Sequence, residues 1–398
     1  MEATTSGTRP RFGAIAREGE KVRFLELFFD LVFVLGFTQC TALMVDRHDW
    51  TGIAQGMLVL AVLWWAWVGY AWLTSVIDPE EGAVRIAILG AMAGLLVVAL
   101  AVPGAFDDRA LAFALAYGAV RAAHLALFML ASRDDPDLRS SVSGLAVSSA
   151  IGVGLLITAS FLDGLAQGGM WVLAIALDWG GPYLFGSAGW KLAPAHFAER
   201  HGLIIILALG ESIVVLGVGA EVGLSALVIT AAVLGVALAS ALWWLYFDVV
   251  VLITERRLVR ATPGRERNEM ARDSYSYLHF PMVAGIILAA FGLEETLHGV
   301  EDPLAIVPAF ALLGGVAIYL LAHVALRLRN AHSVNRQRLL LALALFALLP
   351  LAVEVASVAS VGVVTVLLWA LIAYETAGYG QARIRLRRSE AAQPSTPG

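Results

Sequence analysis

The sequence predicts an all-α fold: a polytopic transmembrane helix bundle of about twelve spans, arranged as two parallel-oriented six-helix repeats. Three observations carry that expectation. The 398 residues are 59% hydrophobic and 15% charged, with a mean hydropathy of +0.78, whereas soluble globular chains carry roughly 25% charged residues. The apolar residues fall in runs of about 18–25, long enough to cross a bilayer core, without the short alternation of a barrel. Finally, Ala123-His124-Leu125-Ala126-Leu127 returns as Ala322-His323-Val324-Ala325-Leu326.

The elements follow in order. Residues 1–22 are polar and are expected as a disordered cytoplasmic tail. The first half, 23–190, gives runs near 24–45, 51–73, 84–103, 109–131, 140–161 and 168–187. The first run lacks a small-residue cleavage site and reads as a retained helix, not a signal peptide. The second half, 191–380, gives runs near 201–219, 224–248, 276–297, 303–326, 339–359 and 361–379. Between its second and third runs, 254–274 carries Arg256, Arg257, Arg260, Arg265, Arg267 and Arg272. It is expected as a solvated connector, with contact to anionic headgroups as the alternative. Residues 381–398 read as a basic, then low-complexity, disordered cytoplasmic tail. Gly90-x-x-x-Gly94 offers one place for close helix packing.

Charge sidedness orients the chain. With the N-terminus inside, the 27 Lys and Arg all fall on the cytoplasmic side except Arg47, Arg109 and Arg121. An odd number of spans would scramble this distribution, so both termini are expected in the cytoplasm. The net charge of −5 says little beside that asymmetry, and nothing in the sequence points to nucleic acid. Membrane lipids are the expected surroundings, with a small solute, cation or proton as possible ligand, and a homo-oligomer is compatible with the pattern.

Further repeats fall in the same order. Leu63-Trp64-Trp65-Ala66-Trp67 matches Leu242-Trp243-Trp244-Leu245-Tyr246, Phe24-Leu25-Glu26 matches Phe197-Ala198-Glu199, and Asp178 with Gly181 matches Glu375 with Gly378. Arg139 follows His124, and Arg338 follows His323, at the same spacing. The Trp runs are expected mainly as packing and interface anchors.

Ionisable groups inside spans cost roughly 2.5–3.5 kcal/mol each to insert and therefore attract attention. Glu26 and Asp30 are four apart and share one helix face, with Asp30 about 10 Å into its span. Two carboxylates this close need a cation or a basic partner. One reading pairs Asp30 with Arg121 as a structural salt bridge, and the other gives Asp30 a transport or ligand role. Glu211 falls about 16 Å beyond Arg200, near mid-membrane, beside Gly210. The candidate solute or ion path is therefore Glu26, Asp30, Arg121, His124, Asp178, Glu199, Glu211 and His323, with Glu354 and Glu375 nearer the interfaces. His124 and His323, each alone in an apolar run, read first as satisfied hydrogen-bonding groups. Cys40, the only cysteine, reads as a small buried hydrophobe, so no disulfide is expected. No cofactor, catalytic or metal-binding pattern emerges: there is no His-Glu-x-x-His and no Gly-rich phosphate loop with Lys.

Glu26-Leu27-Phe28-Phe29-Asp30-Leu31-Val32-Phe33-Val34, with His196-Phe197-Ala198-Glu199-Arg200 and Leu209-Gly210-Glu211-Ser212, closely resembles the low temperature requirement A (LtrA) family. Tyr246-Phe247-Asp248 and Tyr277-Leu278-His279-Phe280-Pro281 fit its later segments, and the resemblance covers about 20–380. It implies a bacterial inner-membrane protein associated with growth in the cold and without an assigned molecular activity. The first span is also similar, more faintly, to potassium channels of six-helix repeats whose first helix carries Arg followed by Phe-Ser-Asp. Here Phe29 stands at the Ser and the spacing from Arg23 is one residue longer. Passage or exchange of a small solute or ion is the leading expectation. A scaffold or sensor of membrane state is the first alternative, and an intramembrane lipid-processing enzyme the second.

Overall fold

The computed structural model describes residues 21–186, 189–219 and 225–391. The first group of helices is α1 (Phe24–Arg47), α2 (Trp50–Thr74), α3 (Gly82–Ala101), α4 (Ala110–Ala131), α5 (Pro136–Ala159) and α6 (Gly164–Leu184). Next come α7 (Pro194–Gly219), α8 (Ala226–Phe247), α9 (Val250–Arg260), α10 (Arg265–Met270), α11 (Phe280–His298) and α12 (Ile306–Ala331). The last are α13 (Arg336–Ala347), α14 (Leu349–Ala352) and α15 (Ser357–Ala391). Most of the expected tail at 1–22, and residues 392–398, lie outside the described residues.

Local chemistry sets the helix ends. Asp49, Asp135, Ser225 and Asn335 each accept a bond from the amide three residues on, satisfying an orphan donor at a helix N-terminus. Pro136 starts α5, where its missing N–H costs nothing. α1 and α12 stop on His48 (φ 53°) and His332 (φ 48°), left-handed residues whose amides bond back to Met44 and Leu328.

Ten helical segments among the described residues are long and apolar enough to cross a membrane. They comprise α1 to α5, α7, the continuous stretches Ala226–Arg260 and Arg265–His298, α12, and α15 as far as Gly378. Two expected runs are not among them. α6 is long enough, but Gln167, Asp178 and a Gly/Pro-rich end make it less apolar. The run at 339–359 is broken: α13 ends at Ala347, and Pro350, which can donate no backbone bond, sits in the one-turn α14. Ser357 then bonds its amide to the Asp302 carbonyl, tying the start of α15 to the α11–α12 turn.

The connector at 254–274 is not a solvated loop. α9 continues α8 after a break at Asp248–Val249, and α10 passes into a π-helix over Ala271–Tyr277 that leads into α11. Two tryptophans of α2 hold that π turn: Trp64 donates to the Ser276 carbonyl (2.8 Å) and Trp72 to the Ser276 hydroxyl (3.0 Å).

Burial follows the same logic. α2 is apolar all round and almost wholly enclosed, as a central helix should be. Leu31, Leu96, Leu115, Ile206 and Val233 sit exposed on outer helices, a surface suited to lipid tails. α1 packs on α2, α3, α7 and α11. The closest crossing is α11 on α12: a Cβ on Gly285 would lie 2.5 Å from the Gly315 carbonyl oxygen, and one on Gly315 would lie 2.6 Å from the Gly285 oxygen. The sequence-predicted pair behaves differently. Gly94 faces Val120 closely, while Gly90 has nothing within 4 Å.

Candidate functional site

The seam between α1 and α7 gathers charge from two helical pairs of matching spacing. Glu26 and Asp30 are four apart on α1, and His196 and Arg200 are four apart on α7. All four are buried, none more than 1% exposed. His196 Nε2 lies 2.9 Å from Glu26 Oε2, Arg200 lies 3.6 Å from Glu26 Oε1, and Arg200 donates to Asp30. Trp67 Nε1 adds a bond to Asp30 (2.9 Å), and Arg200 reaches Thr74 Oγ1 (2.9 Å) while its guanidinium sits 5.5 Å from the centre of the Trp67 ring. Two acids therefore meet two basic groups in a region closed to water, the condition under which buried charge is tolerated.

Farther along the same seam stands Glu211, fully buried on α7. Thr38 of α1 donates to its Oε2 at 2.6 Å, and the Thr41 hydroxyl of the same helix also lies against the carboxylate. The neighbouring Ser212 hydroxyl is also buried without a partner. Glu294 of α11 lies within electrostatic reach of Glu211, and the next residue, Glu295, is 3.1 Å from His48 at the end of α1.

Two further ion pairs flank the seam. Arg121 of α4 binds Asp178 of α6 at 3.1 Å, with Ser149 of α5 bonded to both and Tyr117 at 3.5 Å from the second Asp178 oxygen. Gly69 of α2 permits this cluster: a Cβ there would meet Arg121 at 2.9 Å and His124 at 3.0 Å. In the second pair, Arg338 of α13 clamps Glu375 of α15 through two nitrogens (2.8 and 3.0 Å) and donates its third to His323 Nδ1 (2.7 Å).

A model of the bacterial low temperature requirement A protein (LtrA) matches residues 21–373. The chain belongs to the LtrA family. This LtrA protein is 29% identical over 315 residues, 75% of each chain, to an uncharacterized protein of Rhizobium meliloti (strain 1021). No solved structure matches it.

The predicted site residues of this LtrA protein separate into distinct places. Glu26, Asp30 and Glu211 share the α1–α7 seam, Arg121, His124 and Asp178 form the α4–α6 cluster, and His323 joins Arg338 and Glu375. The sequence reading that paired Asp30 with Arg121 is replaced by Asp30 with Arg200, because α7 and not α4 lies against that face of α1. Glu199 is exposed and accepts from the Val22 amide at 3.1 Å, so the match with Glu26 does not place the two in one site. Missed altogether was a line of buried rings. His201 donates Nδ1 to the Phe197 carbonyl and lies 5.3 Å from His279, which bonds Tyr246 at 2.8 Å. Only the burial of Tyr246-Phe247-Asp248 against Leu278-His279-Phe280 reveals it. Among the described residues no group of three or more His, Cys, Asp or Glu is placed to hold a metal.

Proposed function

We propose that this LtrA protein passes or exchanges a proton or small cation along the α1–α7 seam, with Glu211 as the carboxylate that takes it up and releases it. One observation carries the reading: Glu211 is wholly buried far along α7 against the Thr38 and Thr41 hydroxyls, with no ion pair to a basic group among the described residues. A carboxylate at that depth is costly to insert unless it is neutralised or used. Glu26, Asp30, Asp178 and Glu375 each have a basic partner, and Glu211 does not. Glu294, Glu295 and His48 continue the polar line toward one end of the bundle.

The wider frame is part of the same proposal. α1 packs on α2 and α3, α3 on α4, α4 on α5, and α2 and α5 on α6; α7, α8, α11, α12, α13 and α15 pack in the same order. That correspondence supports two six-helix halves, 23–190 and 191–380; the Lys and Arg asymmetry along the sequence supports placing them in the bacterial inner membrane with both termini cytoplasmic.

The test is flux in protein-only liposomes under a proton or K⁺ gradient. Glu211→Gln is expected to abolish flux at an unchanged melting temperature, since the Thr38 bond can persist to the amide oxygen. Undiminished flux in that variant, or no flux from folded wild-type protein, overturns the reading. A second reading, a packing scaffold that supports membrane function in the cold, draws on the ion pairs of Glu26, Asp30, Asp178 and Glu375. It takes over if flux is absent.

A further inference from the structure

A cavity of about 350 Å³ opens between α8, α9, α12, α13 and α15, within the size range of small-molecule sites. Its walls differ in chemistry. Trp244, Val250 and Ile253 make an apolar side, and Trp244 and Ile253 are also exposed on the outer surface of the bundle (36% and 38%). The polar side is made by Arg257, one turn along α9 from Ile253, with Arg327, Arg338, His323 and Asn330.

That polar side has donors in excess. A guanidinium only donates, so the 2.7 Å contact from Arg338 makes His323 Nδ1 the acceptor and leaves the proton on Nε2. This Nε2–H is buried and meets no acceptor, and His323 itself is 3% exposed. Asn330 repeats the pattern: its oxygen accepts from Ser274 at 2.7 Å, while its buried amide nitrogen has no partner. Glu375 is already held by Arg338 and Asn335, so with Asp248 it leaves three arginines facing two carboxylates. The cavity thus has one more fixed cation than carboxylates and two buried donors without an acceptor, which suits an anionic group.

The other copy of the repeated histidine lacks such a space. The cavity beside His124 holds only about 40 Å³ and is lined by Trp72, Phe128 and Trp190 together with Arg121 and Arg272. By the spacing that equates His124 with His323, Phe128 stands where the second copy has Arg327, and Ala131 where it has Asn330. The first copy also has arginines at its cavity, Arg121 and Arg272, so the two copies differ in open volume and at these two positions rather than in basic character alone.

We propose that this cavity binds the phosphate head of an anionic membrane lipid, whose chains leave past Trp244 and Ile253. The arginines and the His323 and Asn330 donors take the phosphate oxygens, and the apolar wall, continuous with the lipid-facing surface, takes the first carbons of the chains. The basic end of a membrane protein is also where anionic headgroups concentrate. The inference concerns binding alone and stands apart from the flux reading.

The test uses the purified full chain in uncharged detergent, with melting temperature read against added dihexanoyl phosphatidylglycerol, dihexanoyl phosphatidylcholine or inorganic phosphate. A ligand that binds only the folded state raises the melting temperature saturably. Phosphatidylglycerol alone is expected to do so. Arg257→Gln combined with Arg327→Gln is expected to raise its half-saturating concentration at least tenfold. Ile253→Trp, which blocks the exit without changing charge, is expected to weaken phosphatidylglycerol as well. An equal response to phosphatidylcholine, an equal response to inorganic phosphate, or an unchanged titration in all variants overturns the proposal.

Discussion

Arg200 on α7 donates to Asp30 on α1 with both side chains closed to water, so the second acid of the chain's most distinctive motif is answered from a helix 170 residues away. The pair joins the two helices at one level of the bundle, and Glu26 with His196 joins them one turn away. Charge is buried here as a matched set.

Breaking that set by halves should be costly. Asp30→Asn or Arg200→Gln alone strands a buried charge or donor, and either is expected to destabilise the protein by about 3–5 kcal/mol. The double variant should recover most of the loss, whereas Arg121→Gln should not rescue Asp30→Asn. Melting temperature in detergent and membrane abundance decide the matter; rescue by Arg121→Gln would contradict the observed partner.

The α11–α12 crossing predicts a steric effect of the opposite kind. Gly285→Ala places a methyl group against the Gly315 carbonyl, so the helices must separate. A loss of about 1–3 kcal/mol is expected. Gly90→Ala, which meets nothing within 4 Å, should be neutral. Equal melting temperatures for the two variants would count against the crossing.

Acid should loosen the start of α5. Burial opposes ionisation of Asp135, but the Lys191 ammonium and the Leu138 amide outweigh it and hold its carboxyl below the usual carboxylate range. A lowered folded-state value means that the stabilisation is complete above the unfolded Asp value of about 3.9 and disappears as pH falls through the folded one. Asp135→Ala should cost about 0.5–2 kcal/mol at neutral pH, mainly as a lost helix cap. The gap between wild type and variant should then close below pH 4. A constant gap across that range would exclude the ionised carboxylate as its source.

Sidedness can be read by labelling. In a Cys40→Ala background, a cysteine at Asp108 should react with an impermeant thiol reagent on intact cells, and one at Thr262 should not. Reaction at both positions would refute the proposed orientation.

Much of the helical content was legible in the sequence because lipid imposes a simple rule: long apolar runs must be helices. Most boundaries of α1 to α5 follow from that rule and from caps such as Asp49 and Asp135. It fails where helices are neither long nor apolar. The arginine-rich α9 and α10 look like loop by composition, yet Thr254, Leu258, Asn268 and Met270 bury one side of them. The site was legible by residue but not by partner. Depth singled out Asp30, Glu211 and Arg121, but which cation meets which acid depends on helix adjacency, and a helical period is silent on that. Arg200 was in view as part of a motif and was missed as a partner because it lies near a span end by count.

The two outer ion pairs have an evolutionary consequence. In the proposed two-half arrangement Asp178 and Glu375 fall on the closing helix of each half, but the arginine answering Asp178 comes from α4, whereas the one answering Glu375 comes from α13. Arg139, which follows His124 as Arg338 follows His323, is exposed. An acid on the closing helix can thus be answered by an arginine from a different helix in each half. Among relatives, then, an arginine missing from one column is not a lost function. The informative unit is the neighbourhood around each acid, and a substitution at Arg121 should be harmless in any relative whose fifth helix still points its own arginine inward.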